Sequence, residues 1–184
     1  GDFSDQPHKA VIQPSEVIEV AGEILDRISI RHYGYDPTMA PNGKSVLIIT
    51  FKASYDYWKK LRGNRVGYNK EKKQVADQII KELANRFPGI AEKIEAIDVA
   101  TPVTYERYTA NWKGAIEGWL VTPDTIGMAM ADGMGKTLPG LKNFYMAGQW
   151  VEPGGGIPPA AISGKKVIEM ICKQDGKPFK ALKS

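Results

Sequence analysis

The sequence is short of the residues from which disulfide and metal sites are built. Its 184 residues include one cysteine, Cys172, which excludes a scaffold stapled within the chain. They include two histidines, His8 and His32, too few for the usual nitrogen and sulfur ligands of zinc. No EF-hand spacing of carboxylates occurs, and no metal is expected. No run comes near the ~20 apolar residues of a membrane span, and the opening GDFSDQPHK carries no secretory signal pattern. A cytoplasmic chain, at most peripheral to a membrane, is the expectation. Over most of the sequence a charge of one sign is lacking too. The formal net charge is +4, but six lysines in the last twenty residues, set against Glu169 and Asp175, supply all of it. That tail reads as a solvated end, with weak attraction to an anionic membrane surface as the lesser reading. A basic face for nucleic acid is not expected. What is present, 42% hydrophobic and 25% charged residues, suits a folded chain that buries its own core.

Periodicity divides the chain into short strands, two long helices and loops. Residues 1–15 read as a loose lead-in. A short strand, a turn near Ala21-Gly22 and a longer strand from about Ile24 to Tyr33 follow, the last marked by the alternation of Arg27 to Arg31. Asp36-Pro37 and Asn42-Gly43 supply turn chemistry before a buried strand at Ser45–Lys52, making a hairpin with a long connection. Tyr55, Tyr57 and Trp58 beside Lys59, Lys60 and Arg62 read as an amphipathic surface patch. Val75, Ile79, Leu83 and Phe87 recur every four residues and predict a helix from Asn69 to Phe87, capped by Asn69 and stopped by Pro88-Gly89. Ala91–Val99 reads as a strand, 101–119 as aromatic-rich and irregular, 121–142 as turns. Asn143–Gly148 reads as a short strand, 148–159 as a glycine-proline loop, and Ile157 to about Lys173 as a final helix. Its apolar stripe is Ile157, Ala161, Gly164, Ile168 and Ile171, with Gly164 allowing close approach to a strand. The fold class is therefore α+β, a mixed or largely antiparallel sheet with flanking helices. Strands and helices do not alternate regularly, so a doubly wound sheet is not supported.

Several motifs fail on inspection. Gly135-Lys136-Thr137 ends like a phosphate-binding P-loop, but Met130 stands where the first glycine belongs. Gly133-Met134-Gly135 begins like a dinucleotide fingerprint, but Leu138 breaks it and no βαβ unit surrounds it. His8 and His32 lie far apart in sequence, with no serine elbow to make a hydrolase triad. Cys172, late in the last helix, reads as a small core residue.

One motif survives. In Gly148-Gln149-Trp150-Val151-Glu152-Pro153-Gly154-Gly155-Gly156-Ile157-Pro158, three consecutive glycines precede a helix whose first turn holds prolines, where a missing N–H costs nothing. Such glycines let the backbone approach a flat or charged ligand. The helix start offers unpaired N–H groups and the positive end of its dipole. That suits a phosphate, or the edge of a flavin that becomes negative on reduction. The same pattern also serves as a tight turn with no ligand.

This segment resembles the C-terminal flavin-contacting motif of the phytoene desaturase family, which includes carotenoid isomerases and retinol saturases among the FAD-dependent amine-oxidase-like proteins. Gly148, Pro153-Gly154-Gly155-Gly156-Ile157-Pro158 and Ser163-Gly164 carry the match, with Pro139-Gly140-Leu141-Lys142-Asn143-Phe144-Tyr145 ahead of them. Asp36 to Lys44 resembles the family's Asp-Pro…Ala-Pro-x-Gly hairpin. Thr101 to Thr109 followed by Gly114 to Gly118 resembles its Thr-Pro…Glu-Arg-Tyr…Gly stretch. The likeness spans roughly residues 25–175. Glu152 departs from it, since several desaturases carry histidine before the Pro-Gly.

The resemblance implies FAD chemistry at C–C or C=C bonds of a long apolar, isoprenoid- or carotenoid-like substrate. It implies cofactor contacts from Gly148, Gln149, Gly154, Gly155, Gly156, Ile157 and Pro158. Tyr105, Tyr108, Trp112 and Trp119 are candidates to line an apolar tunnel, with ordinary packing as the other reading. No side chain is a convincing acid or base, so no catalytic residue is assigned. The family's N-terminal nucleotide-binding unit with its GxGxxG is missing, so the chain is expected to be the C-terminal part of a longer flavoenzyme. Residues 1–15 would be lead-in, 16–138 part of the substrate-binding domain, and 139–184 the last flavin-contacting strand, loop and helix. The chain alone is then expected to be inactive and to hold no FAD tightly. Its partners would be the missing FAD-binding domain, an apolar small-molecule substrate, and a second copy through the exposed face of the last helix. A flavin-dependent isomerase and a free-standing interaction module are the alternatives.

Overall fold

A computed structural model describes residues 7–130 and 134–181. Residues 1–6 of the lead-in, Gly133 and Lys183 lie outside the described residues. The chain forms two compact units, Gly1–Gly114 and Ala115–Ser184, and its fold is α+β.

The first unit is organised on β4 (Ile28–His32). This strand is flanked antiparallel by β1 (Lys9–Ile12) and β5 (Leu47–Thr50). Ile30 stands opposite Ala10 on one side and Ile49 on the other. Strand pleating sends alternate residues to one face, and Ile28, Ile30 and His32 are the buried set. The expected long strand is interrupted: β2 (Glu19–Val20) and β3 (Glu23–Ile24) form a separate small hairpin. The turn between them falls at Ala21-Gly22, as the sequence indicates. Both residues adopt left-handed backbone, φ 58° and 76°, which a two-residue hairpin with right-handed strand twist demands.

Helices close the core. The aromatic patch at 55–58 is not surface. It forms α1 (Tyr55–Leu61), whose Trp58 is buried edge-on to Tyr57 and Tyr68. The long helix α2 spans Arg65–Arg86 and buries Val75, Ile79 and Leu83. It begins earlier than expected because Asn64, not Asn69, is its cap. Asn64 has extended backbone, and its side chain accepts the Gly67 N–H at 3.0 Å. Ile12, Val20, Ile28 and Ile30 join Trp58 and these three residues in one cluster.

Three further expectations are corrected in this unit. From Lys9 onward the lead-in is not loose, because β1 pairs fully with β4 and Glu82 of α2 accepts both the N–H and the hydroxyl of Ser15, at 2.9 and 2.5 Å. Ala91–Val99 is no strand: a 3-10 turn at Ala91–Lys93 is followed by chain with no ladder, leaving Ile97 exposed. The stretch after Thr101 is not irregular but opens with α3 (Pro102–Thr109), started by a capping box between Thr101 and Thr104 with Pro102 in the first turn. The two histidines, distant in sequence, become cross-strand neighbours with ring centroids 5.1 Å apart. The ladder continues past β1 and β4, the His32 N–H donating to the His8 carbonyl at 3.1 Å.

The second unit holds α4 (Ile126–Met130) and α5 (Ile157–Gln174). Asn143–Gly148 forms no ladder, so the expected last strand is absent. Its Met146 N–H instead donates to the Lys136 carbonyl at 2.8 Å. Helix α5 forms where expected, but its buried face is not the expected stripe. Ser163 and Val167 are buried, whereas Ile157 is 84% exposed and Ile168 lies largely open. A Cβ on Gly164 would meet nothing within 4 Å, so no strand approaches closely there. Val151 and Val167 are the unit's buried large apolar residues among those described. Leu120, Val121, Ile126, Leu141, Phe144 and Ile157 are all exposed.

Candidate functional site

The second unit is built around the glycine loop. Gly148, Gly154, Gly155 and Gly156 all have positive φ, at 117°, 105°, 62° and 81°. Only glycine takes this backbone without strain in four places so close together. Gly148 turns the chain, its carbonyl accepting the N–H groups of Val151 and Glu152. Its own N–H donates to the Ser163 hydroxyl of α5 at 3.0 Å. The Gly156 carbonyl takes the Ala160 N–H, and no side chain caps α5. Pro158 and Pro159 lack N–H groups. The first-turn donors are therefore backbone groups of Gly155, Gly156 and Ile157, at the positive end of an 18-residue helix.

A second segment is laid against the loop. A Cβ on Gly118 would fall 1.8 Å from the Gln149 carbonyl oxygen, so only glycine allows this approach. The Gly154 N–H donates to the Trp119 carbonyl at 3.2 Å, and the Trp119 indole N–H to the Trp150 carbonyl at 2.8 Å. The two indole rings stand edge to face. A Cβ on Gly155 would lie 2.8 Å from Glu117. Trp119 thus joins the loop directly. Tyr105, Tyr108 and Trp112 belong to the first unit, and they do not line an enclosed cavity there: Tyr108 is 76% and Trp112 74% exposed, with Arg107 over the Tyr108 ring and Lys113 over the Trp112 ring.

Beneath the loop lies a charge cluster that the sequence reading passed over. The Glu152 carboxylate is paired with Lys136 at 2.9 Å and with Lys166 of α5 at 2.8 Å. The three side chains are 12%, 7% and 25% exposed. Lys136 also donates to the Met134 carbonyl at 3.0 Å, and the Met134 N–H to the Val151 carbonyl at 2.9 Å. Burial opposes the charge on Glu152, yet the hydrogen bond from Lys166 and the adjacent Lys136 cation hold its carboxyl below the ordinary value. The sequence signal was Glu152 itself, an acid where several desaturases of the family it resembles carry histidine. Its lysine partners stand 16 residues before and 14 after it, too far for any local rule. Among the described residues no group of three or more His, Cys, Asp or Glu could hold a metal, and no helix is long and apolar enough to cross a membrane.

Comparison with known proteins finds relatives that share this chain's sequence in part. The chain is 32% identical over 130 residues to the chloroplastic prolycopene isomerase of Daucus carota, covering 70% of this chain and 20% of that protein. The match to the prolycopene isomerase of Arabidopsis thaliana is 31% over 130 residues, 70% of this chain and 21% of the relative. The phytoene desaturase (neurosporene-forming) of Rhodobacter capsulatus is 27% identical over 178 residues, 89% of this chain and 32% of that protein. The chain therefore spans about a fifth of the isomerases it matches. No protein-family model and no solved structure matches it.

Proposed function

We propose that this chain, which is related in sequence to the carotenoid isomerases, retinol reductases and phytoene desaturases, forms the C-terminal part of an FAD-dependent oxidoreductase. Its substrate would be a long apolar molecule, isoprenoid- or carotenoid-like, altered at a C–C or C=C bond. The observation that carries this reading is the glycine loop with its helix. Four left-handed glycines, an uncapped α5 start and backbone donors at Gly155, Gly156 and Ile157 fit the electron-rich edge of a flavin. When bound, the flavin would supply hydride acceptance or donation. The chain's own residues would hold it and favour its reduced, anionic form by the helix dipole and the loop N–H groups. Gly148 and Gln149 would pass near the rest of the cofactor.

The exposed apolar residues of the second unit support a longer protein. A unit that buries Val151 and Val167 while exposing Leu120, Val121, Leu141, Phe144 and Ile157 presents surface of the kind that further chain covers. A missing FAD-binding domain would supply it, and the chain alone would hold no FAD tightly. A second reading is an isomerase with no net redox change. It is favoured by the prolycopene isomerases, which match the chain at 31–32% identity over 70% of its length.

The test is the full-length protein, purified with its flavin and given an isoprenoid polyene. Oxidoreductase action consumes an electron acceptor or donor in step with product. Isomerisation changes geometry with none consumed. A preparation of residues 1–184 that holds stoichiometric flavin would overturn the reading as a part.

A further inference from the structure

We propose that Glu152 is a positioning residue: clamped between Lys136 and Lys166, it sets the glycine loop in the orientation that receives the cofactor. The inference rests on the loop's assignment to flavin in the preceding section, and it adds how the loop is held. Glycine has the most backbone freedom to lose. A loop with glycines at 148, 154, 155 and 156 therefore needs an outside restraint to present its N–H groups in one direction. Glu152 carries the only ionisable side chain between Gly148 and Gly156. Its two oxygens reach cations from two other segments, Lys136 before the loop and Lys166 on α5. The Met134 N–H donates to the Val151 carbonyl and ties the same segments by backbone, and the Lys136 ammonium also donates to the Met134 carbonyl.

The cluster is a geometric lock more than a source of stability. Withdrawing one carboxylate and two ammonium groups from water is costly, and buried pairs of this kind chiefly fix one arrangement. Proline at 153 stiffens the chain beside Glu152, because its ring fixes its own φ and restricts the residue before it. The Glu117 carboxylate beside Gly155 offsets the cluster's formal charge of +1, so the start of α5 is what favours negative charge on a group seated at the loop.

Two measurements test this. In the chain itself, hydrogen exchange of the Val151, Glu152, Gly154 and Ala160 amides, each hydrogen-bonded to a backbone carbonyl, should quicken at least tenfold in Glu152→Gln. In the full-length protein, the same substitution should weaken flavin retention at least tenfold and shift the flavin absorption bands, which general destabilisation would not do while the flavin stays bound. Lys166→Gln leaves Glu152 paired with Lys136 and serves if Glu152→Gln does not fold; it should move both readouts in the same direction by a smaller factor. Loop amides that exchange alike in variant and wild type overturn the clamp. A full-length wild-type protein that takes up no flavin overturns the reading of the preceding section, and with it the cofactor half of this one, whatever the amides do.

Discussion

The buried Ser163 hydroxyl accepts the Gly148 N–H at 3.0 Å, joining the mouth of the glycine loop to the inner face of α5. Ser163→Ala leaves that N–H without its acceptor, a loss of about 1–3 kcal/mol. The Gly148 amide should exchange faster by roughly the matching factor, about five- to 160-fold, as read by NMR. Protection at wild-type level would show that the bond contributes nothing.

Two glycines should respond oppositely to alanine. At Gly118 the new Cβ meets the Gln149 backbone oxygen, which cannot move without moving the loop. Gly118→Ala should abolish cooperative unfolding of the second unit. Gly164 lies inside α5 with open space around it. Gly164→Ala should raise stability by up to about 1 kcal/mol from helix propensity. Urea titration of both variants checks the pair.

Acid should release the loop. The carboxyl of Glu152 lies below the ordinary value of 4.5, so the folded state binds its proton less readily than the unfolded chain. The stability it contributes is complete above the ordinary carboxyl range and is lost as pH falls through the lower, folded value. Unfolding of the wild type followed against pH should show this acid limb, and Glu152→Gln should lack its share of it.

In the first unit, Trp58 and Trp112 make a contrast. Trp58 is buried between two tyrosines, and Trp58→Ala should cost about 3–5 kcal/mol. Trp112 lies open to solvent, and Trp112→Ala should stay within about 0.5 kcal/mol of wild type. Denaturation midpoints read the difference.

The open stripe of α5 should make the chain associate. Light scattering of residues 1–184 should show concentration-dependent assembly, and the pair Ile157→Glu and Ile168→Glu should reduce it. A strict monomer at high concentration would show that this face is inert.

Much of the architecture was legible because it is local. The four-residue rhythm from Val75 to Leu83 marked α2, and the prolines at 158 and 159 marked the start of α5. Ala21-Gly22 marked a turn, and glycine spacing marked the loop. Misreadings came where distant chain decided. Asn69 reads as a cap in sequence but lies inside α2, and Asn64 has the extended backbone of the cap. Tyr57 and Trp58 beside lysines read as surface, but Tyr68 of α2 and the core cluster cover Trp58. The segment 91–99 is apolar enough for a strand but forms no ladder in the structure.

The same division holds at the glycine loop. Sequence alone determined that a glycine-rich loop there opens a helix, because three consecutive glycines free the backbone and proline suits a first turn. It also determined that the net charge of +4 belongs to the lysines of the last twenty residues. Tertiary structure decided that one of those lysines, Lys166, turns inward to Glu152. It also brought Lys136 to the same carboxylate and left Ile157 in the open while Ser163 went inside. Hydropathy does not reveal those choices, because the groups that make burial of Ser163, Lys136 and Lys166 tolerable lie on other chain segments.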